Sequence, residues 1–255
     1  MIFRRWISLV IIAGLVMIGA CGCMNHKDYS DKILEELESR HEKKFEIVQL
    51  TYEVSGNAGN YYRAVCKDSE TEVEFVACYY LNGSDSLLSE GLDGASTVKK
   101  GDPFLVDEYC VALLNERFAA FLMSEDLNIE YAIADTIPVA HTLTVEDLSK
   151  GVEFCLSNDE FDIKATIYLF IADDANKNAS EKAITDRIVE LDLYRCNVDV
   201  IYVPLEYMDA IEDEYSHALS SIEDNLEDDS KIASYRRYAI SRGKGITLTE
   251  EVKGA

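Results

Sequence analysis

The chain has 255 residues, with 48 Asp and Glu against 24 Lys and Arg, and a formal net charge of −24. A surface this negative repels phosphate backbones, which excludes direct nucleic-acid binding, and it repels anionic lipid headgroups, which excludes a basic membrane-binding patch. Three prolines and 13 glycines argue against long disordered stretches, and 15 tyrosines with nine phenylalanines favour ordered sheet structure.

The amino terminus reads MIFRRWISLVIIAGLVMIGACGC. Arg4 and Arg5 precede an apolar run from Trp6 to Ala20, broken only by Ser8 and two glycines. The run is short for a bilayer span, which needs about 20 apolar residues. A charged start, an apolar middle and a small-residue end make a secretory signal. Ile18-Gly19-Ala20-Cys21 resembles the lipobox of bacterial lipoproteins. The resemblance implies cleavage by signal peptidase II between Ala20 and Cys21, and lipid on the Cys21 thiol, with acyl chains such as palmitate. Cys23, behind Cys21 and Gly22, is a second position for the same chemistry. An uncleaved anchor and twin-arginine export are alternative readings; Phe3 and the residues after the arginines fit the latter poorly. Each buried methylene contributes about 0.8 kcal/mol, so two or more chains hold a soluble body on a membrane without a spanning helix. The expected location is the cell membrane, lipid-anchored, on the extracytoplasmic face. Loss of residues 1–20 removes two arginines and no acid, which takes the net charge from −24 to −26.

With Cys21 lipidated, Cys23, Cys66, Cys78, Cys110, Cys155 and Cys196 remain. An even number in an exported protein permits disulfides, and the pairing is not readable from sequence. The wide, irregular spacing gives no support to a zinc cluster or a redox motif. Cys196 shares a strand face with Val198, Val200 and Tyr202 and is expected to pack as a small apolar residue.

Residues 22–28 read as a tether and 30–43 as a helix, with Ser30 as cap and Ile33, Leu34 and Leu37 as its apolar stripe. Three strands follow. In FEIVQLTYEV the apolar face is Val48, Leu50, Tyr52 and Val54; YYRAVCK comes after the turn SGNAGN; in EVEFVACYY the face is Val73, Phe75, Ala77 and Tyr79. Short turns make this an antiparallel meander under a helix. Residues 82–102 are rich in Gly and Ser and read as a linker. Asp102 and Pro103 have the signals of a helix start, with Val106, Tyr109, Cys110, Leu113, Leu114, Phe118, Phe121 and Leu122 along its buried side.

NIEYAIAD reads as a strand, TVEDLSKG as a short helix capped by Thr144, and VEFCLS as a brief strand. FDIKATIYLFI alternates with Phe161, Ile163, Ala165, Ile167, Leu169 and Ile171 inward. A helix over about 179–191 uses Ile184, Ile188 and Leu191, and RCNVDVIYV is the strand after it, which makes a crossover or split βαβ unit. Residues 205–226 read as a long acidic helix with Met208, Ile211, Tyr215, Leu219, Ile222 and Leu226 buried. No element is assigned after it.

The expected fold class is α+β, with helices packed on antiparallel and mixed sheets. The expected divisions are a signal peptide at 1–20, a lipidated tether at 21–28, a helix-plus-meander unit at 29–101 and a second α+β unit at 102–255. The loosely repeated plan of helix and meander leaves a duplication open. The arrangement resembles small lipoproteins of clostridial bacteria in its ILEELESRHEKKFEIV helix, Tyr-rich meander and strand–helix–strand segment from Ile167 to Val203. That resemblance implies no activity.

Several residues have types and spacing that bear on chemistry. Asp174, Asn176 and Asn178 have the D-x-N-x-N start of a calcium loop, but Ala179 stands at the glycine position and Thr185 at the final glutamate. Asn178 capping a helix, with Glu181 reaching back, is the simpler expectation. Glu214 and His217, with Asp213 beside them, have the spacing of half a di-metal pair and read as a solvated helix face. His141 is a loop histidine or an isolated base; His26 and His41 read as surface residues. Cys155 is expected on a polar strand face, where a Cys–His nucleophile depends on spatial proximity. The run EDNLEDD at 223–229 is a solvated helix end or a docking patch for a basic partner or divalent cations. No GxSxG, HExxH, Walker loop or GxGxxG occurs. No catalytic residue, metal ligand or cofactor is therefore assigned. The expected role is a membrane-anchored, non-enzymatic module that binds a protein or envelope component. A cell-envelope hydrolase using carboxylates and His141, and the substrate-binding lipoprotein of a transporter, are the alternatives.

Overall fold

The computed structural model describes residues 26–55, 59–82, 102–124, 127–173, 177–210 and 231–253. Cys21, Ala20, Cys23, most of the 82–102 linker, Asp174, Asn176, residues 211–226 of the acidic helix with Asp213, Glu214 and His217, and the 223–229 patch lie outside the described residues.

The fold is α+β, built as two sheets around shared helices. Helix α1, His26–His41, precedes strands β1, Phe45–Ser55, β2, Gly59–Asp68, β3, Glu74–Tyr80, and β4, Phe104–Asp107. These four form an antiparallel sheet in chain order. Helix α2, Tyr109–Ser124, leads to β5, Tyr131–Ile137, then α3, Val145–Ser149, and α4, Val152–Ser157. Next come β6, Lys164–Ala172, α5, Lys177–Glu190, β7, Arg195–Val203, a short 3-10 turn at Leu205–Tyr207, and the hairpin β8, Ser234–Ser241, and β9, Gly245–Lys253. The second sheet also runs in chain order, and β6 and β7 are its one parallel pair among the described strands, joined by α5 as the strand–helix–strand pattern implies.

Period-two patterning places the core. Val73, Phe75, Ala77 and Tyr79 are buried, as are Phe161, Ile163, Ala165, Ile167, Leu169 and Ile171. One continuous core joins Ile33 and Leu37 of α1, Leu114, Phe118 and Leu122 of α2, and Ile184 and Ile188 of α5 to the inner faces of both sheets. Helix α2 packs against both β3 and β5 and so links the sheets. Full burial of each large apolar side chain contributes about 1.5–3 kcal/mol. A smaller cluster of Tyr168, Phe170, Ile201, Val203 and Tyr235 lies on the opposite face of the second sheet, with Met208 and Ile232 against it.

Four local expectations are corrected. Asp102 and Pro103 precede strand β4, and the helix starts at Tyr109, whose backbone N–H donates to the Asp107 carboxylate at 3.2 Å. VEFCLS is helix α4, and Gly151, at φ +105°, breaks the chain between it and α3. In β1 a bulge between Ile47 and Gln49 turns Val48 outward, while Leu50 and Tyr52 stay on the inner face opposite Ala64 and Tyr62. Val54 lies beyond the core at the hairpin end and is 73% exposed. The hairpin β8–β9 follows the last element that the sequence pattern marks. Thr144, by contrast, caps α3 in a full capping box with Asp147.

Candidate functional site

A groove of about 1160 Å³ opens where three elements converge. The C-terminal half of α1 supplies Glu36, Arg40 and His41, followed by Glu42; Pro103, β4 and the start of α2 supply residues 103 to 107, Cys110 and Val111; the segment 138–149 supplies Pro138 and Thr142 to Glu146. Two basic side chains, Arg40 and His41, in the last turn of α1 suit the negative end of the helix dipole.

Asp107 is the hub of the wall. Its Oδ2 accepts from Arg40 Nη1 at 2.6 Å, and its Oδ1 meets His41 Nε2 at 2.9 Å. Only 4% of the Asp107 side chain is exposed. Burial opposes its charge, but the hydrogen bond from His41, the positive charges of His41 and Arg40, and the Tyr109 N–H prevail and hold the carboxyl below the usual range. The ionised carboxylate only accepts, so Nε2 of His41 carries the proton. Arg40 Nη2 donates to the Leu105 carbonyl at 3.1 Å and to Glu36 at 3.2 Å. The His41 ring packs 4.9 Å from Tyr109 and 6.0 Å from Phe45. Behind it, the Tyr109 hydroxyl donates to buried Asp68, whose Oδ1 also takes the Glu70 N–H at 2.7 Å. Burial again opposes ionisation of Asp68, and the donors hold its carboxyl low. His41 is thus a buried member of a network rather than a surface residue.

The other candidate residues fall elsewhere. His141 is exposed, and neither it nor Cys155 lines the groove. Cys155 is buried in α4, its Sγ donates to the Asp147 carbonyl at 3.4 Å, and burial pushes its thiol up to about 11. Cys110, in the groove wall, is pushed up to about 12 by burial. The five described cysteines are free thiols. Asn178 lies inside α5 rather than at its cap, and Glu181 does not reach back to it. Glu181 is instead buried and accepts from the hydroxyls of Tyr202 and Tyr238 and from Arg236 Nη1 at 2.7 Å, tying α5 to the second sheet. Among the described residues no group of three or more His, Cys, Asp or Glu is placed to hold a metal. None of the described helices is long and apolar enough to cross a membrane.

The groove residues Arg40, His41 and Asp107 carry no motif. Arg40 and His41 stand out only as a basic helix end, and Asp107 comes to them from 67 and 66 residues away.

No family model matches the chain, and no curated protein matches it. Among solved structures it is similar to a DUF5037 family protein from Ruminococcus gnavus ATCC 29149, with a TM-score of 0.49 and 14% sequence identity over 86% of this chain and 94% of that one. A likeness of this degree carries no argument about function.

Proposed function

We propose that the chain is a lipid-anchored, non-enzymatic binding module on the outer face of the cell membrane, with Cys21 as its acylated first residue and the groove as its ligand site. The lipobox pattern supports the anchor. The observation that carries the binding role is the groove of about 1160 Å³ at the end of α1. Its cationic wall is already committed to Asp107, and its one cysteine is a protonated thiol. Half-buried Val106, Val111, Pro138 and Val145 offer apolar contact area. Such a site is built to hold a ligand rather than to attack one. The expected partner is a protein or another envelope component.

Two measurements test the two parts. Radiolabelled palmitate is expected to enter the wild type and not Cys21→Ala; equal labelling would overturn the anchor. A photo-crosslinking amino acid at Val111 on intact cells is expected to give adducts that the same group at exposed Glu160 does not give. Identical adduct patterns at the two positions, or none at Val111, would remove the groove as the ligand site.

A further inference from the structure

The geometry points to an extended, basic peptide segment as the occupant of the groove, an inference that rests on the groove being the ligand site. Size is the first argument. Pockets for small ligands run from about 300 to 1,000 Å³, and this open groove, at about 1160 Å³, lies above that range. Charge is the second. Glu36, Glu42, Glu146 and Asp107 line it against Arg40 and His41, with His41 turned to Asp107, and no lysine is among the lining residues. Arg40 is shared between Asp107 and Glu36, so it offers little to an incoming anion. The field of a chain with net charge −24 draws cations toward these carboxylates. That same charge argues against a second copy of the chain as occupant.

Lining gives the third argument. Half-buried Val106, Val111 and Val145 offer apolar contact and exposed Glu42 and Glu146 offer carboxylates, so a segment that carries both apolar and basic side chains finds partners for each. Addition of the segment as a fifth strand is not the mode. Glu108 N–H pairs with the Val76 carbonyl, so the alternation of the ladder turns Leu105 away from β3, and Arg40 already takes the Leu105 carbonyl. Recognition is left to side chains.

The test titrates a fluorescent nonapeptide of alternating lysine and valine into the full-length protein held in uncharged phosphatidylcholine vesicles. The same peptide with glutamate, and with serine, in place of lysine are the comparisons. The lysine peptide alone is expected to bind, more weakly as salt rises. The combined variant Glu36→Gln, Glu42→Gln, Glu146→Gln is expected to weaken it tenfold or more. Glu74→Gln, Glu130→Gln, Glu160→Gln, which removes equal charge at exposed positions elsewhere, is expected to change it less than twofold. Val111→Trp, or Val145→Phe if the first loses its near-ultraviolet circular dichroism, is expected to block binding by filling the groove. Equal weakening by the two glutamine triples would overturn the inference in favour of a diffuse field. Serine-peptide binding that Val111→Trp blocks would also overturn it while leaving the groove a ligand site. Binding of none of the three peptides would overturn it as well, and crosslinking at Val111 then decides separately whether the groove is occupied.

Discussion

Arg237 and Asp199 face each other across β8 and β7, and the guanidinium holds the carboxylate by two parallel hydrogen bonds, Nε to Oδ1 at 2.7 Å and Nη2 to Oδ2 at 2.8 Å. Asp199 is 1% exposed, while Arg237 reaches the sheet surface and also meets Glu250 at 3.3 Å. Removing one partner leaves a desolvated charge without its counter-ion. Because Arg237 is partly solvated, Arg237→Leu is expected to destabilise by about 2–3 kcal/mol, less than for a fully buried pair. Adding Asp199→Leu is expected to recover most of that loss, because the stranded carboxylate goes too. Urea unfolding of the two singles and the double measures the coupling, and simple additivity would show there is none.

Asp107 sets an acid limb. Its carboxyl is held low in the folded protein, so the unfolded chain binds that proton more readily. The stability it contributes is complete above the unfolded value near pH 4 and drains as pH falls through the lowered folded value. Asp68 acts in the same direction. Urea midpoints are expected to fall between pH 5 and pH 3 in the wild type. Asp107→Asn is expected to have a shallower fall and to be about 1–3 kcal/mol less stable at pH 7. A variant that keeps the wild-type slope would place the acid sensitivity elsewhere.

The described thiols are expected to be slow. Burial lifts Cys66 and Cys110 to about 12 and Cys78 and Cys155 to about 11, and it pushes Cys196 higher still. Thiolate is the reactive form, and at pH 8 it is scarce at every one of these sites. Native protein is expected to react with a disulfide reagent first at half-buried Cys78, and at the other four at rates set by unfolding. Mass mapping of quenched samples reads the order; early labelling of Cys196 would contradict its full burial.

Phe118 is fully buried on the helix that touches both sheets. Phe118→Ala is expected to cost about 3–5 kcal/mol, from lost transfer energy and the cavity left behind. Far- and near-ultraviolet circular dichroism are expected to report one shared transition, since the core has no seam between the sheets. Separate transitions would mean that the halves unfold independently.

The strand from Val73 to Tyr79 was legible because alternation with one apolar face is a direct consequence of pleating. The hairpin β8–β9 was hidden because Arg236 and Arg237 stand in mid-strand, each neutralised by acids from elsewhere in the chain. No local pattern announces that Glu181 and Asp199 will meet them. VEFCLS was too short for period two to be told from a helical turn. Asp102 and Pro103 look like a helix start, yet the same pair also leads into an edge strand. The groove was the least legible part. The burial of His41 is settled by Asp107 and Tyr109, which arrive on a later strand and helix, and spacing along the chain carries no trace of that meeting.

Helix α1 begins at His26 and ends at the groove. Its 16 residues rise about 24 Å. Residues 22–25 extend by at most about 14 Å. With Cys21 acylated, as proposed, the mouth of the groove travels no farther than about 40 Å above the lipid. With the groove as the proposed ligand site, chain length alone limits its partners to those that come within that distance of the lipid.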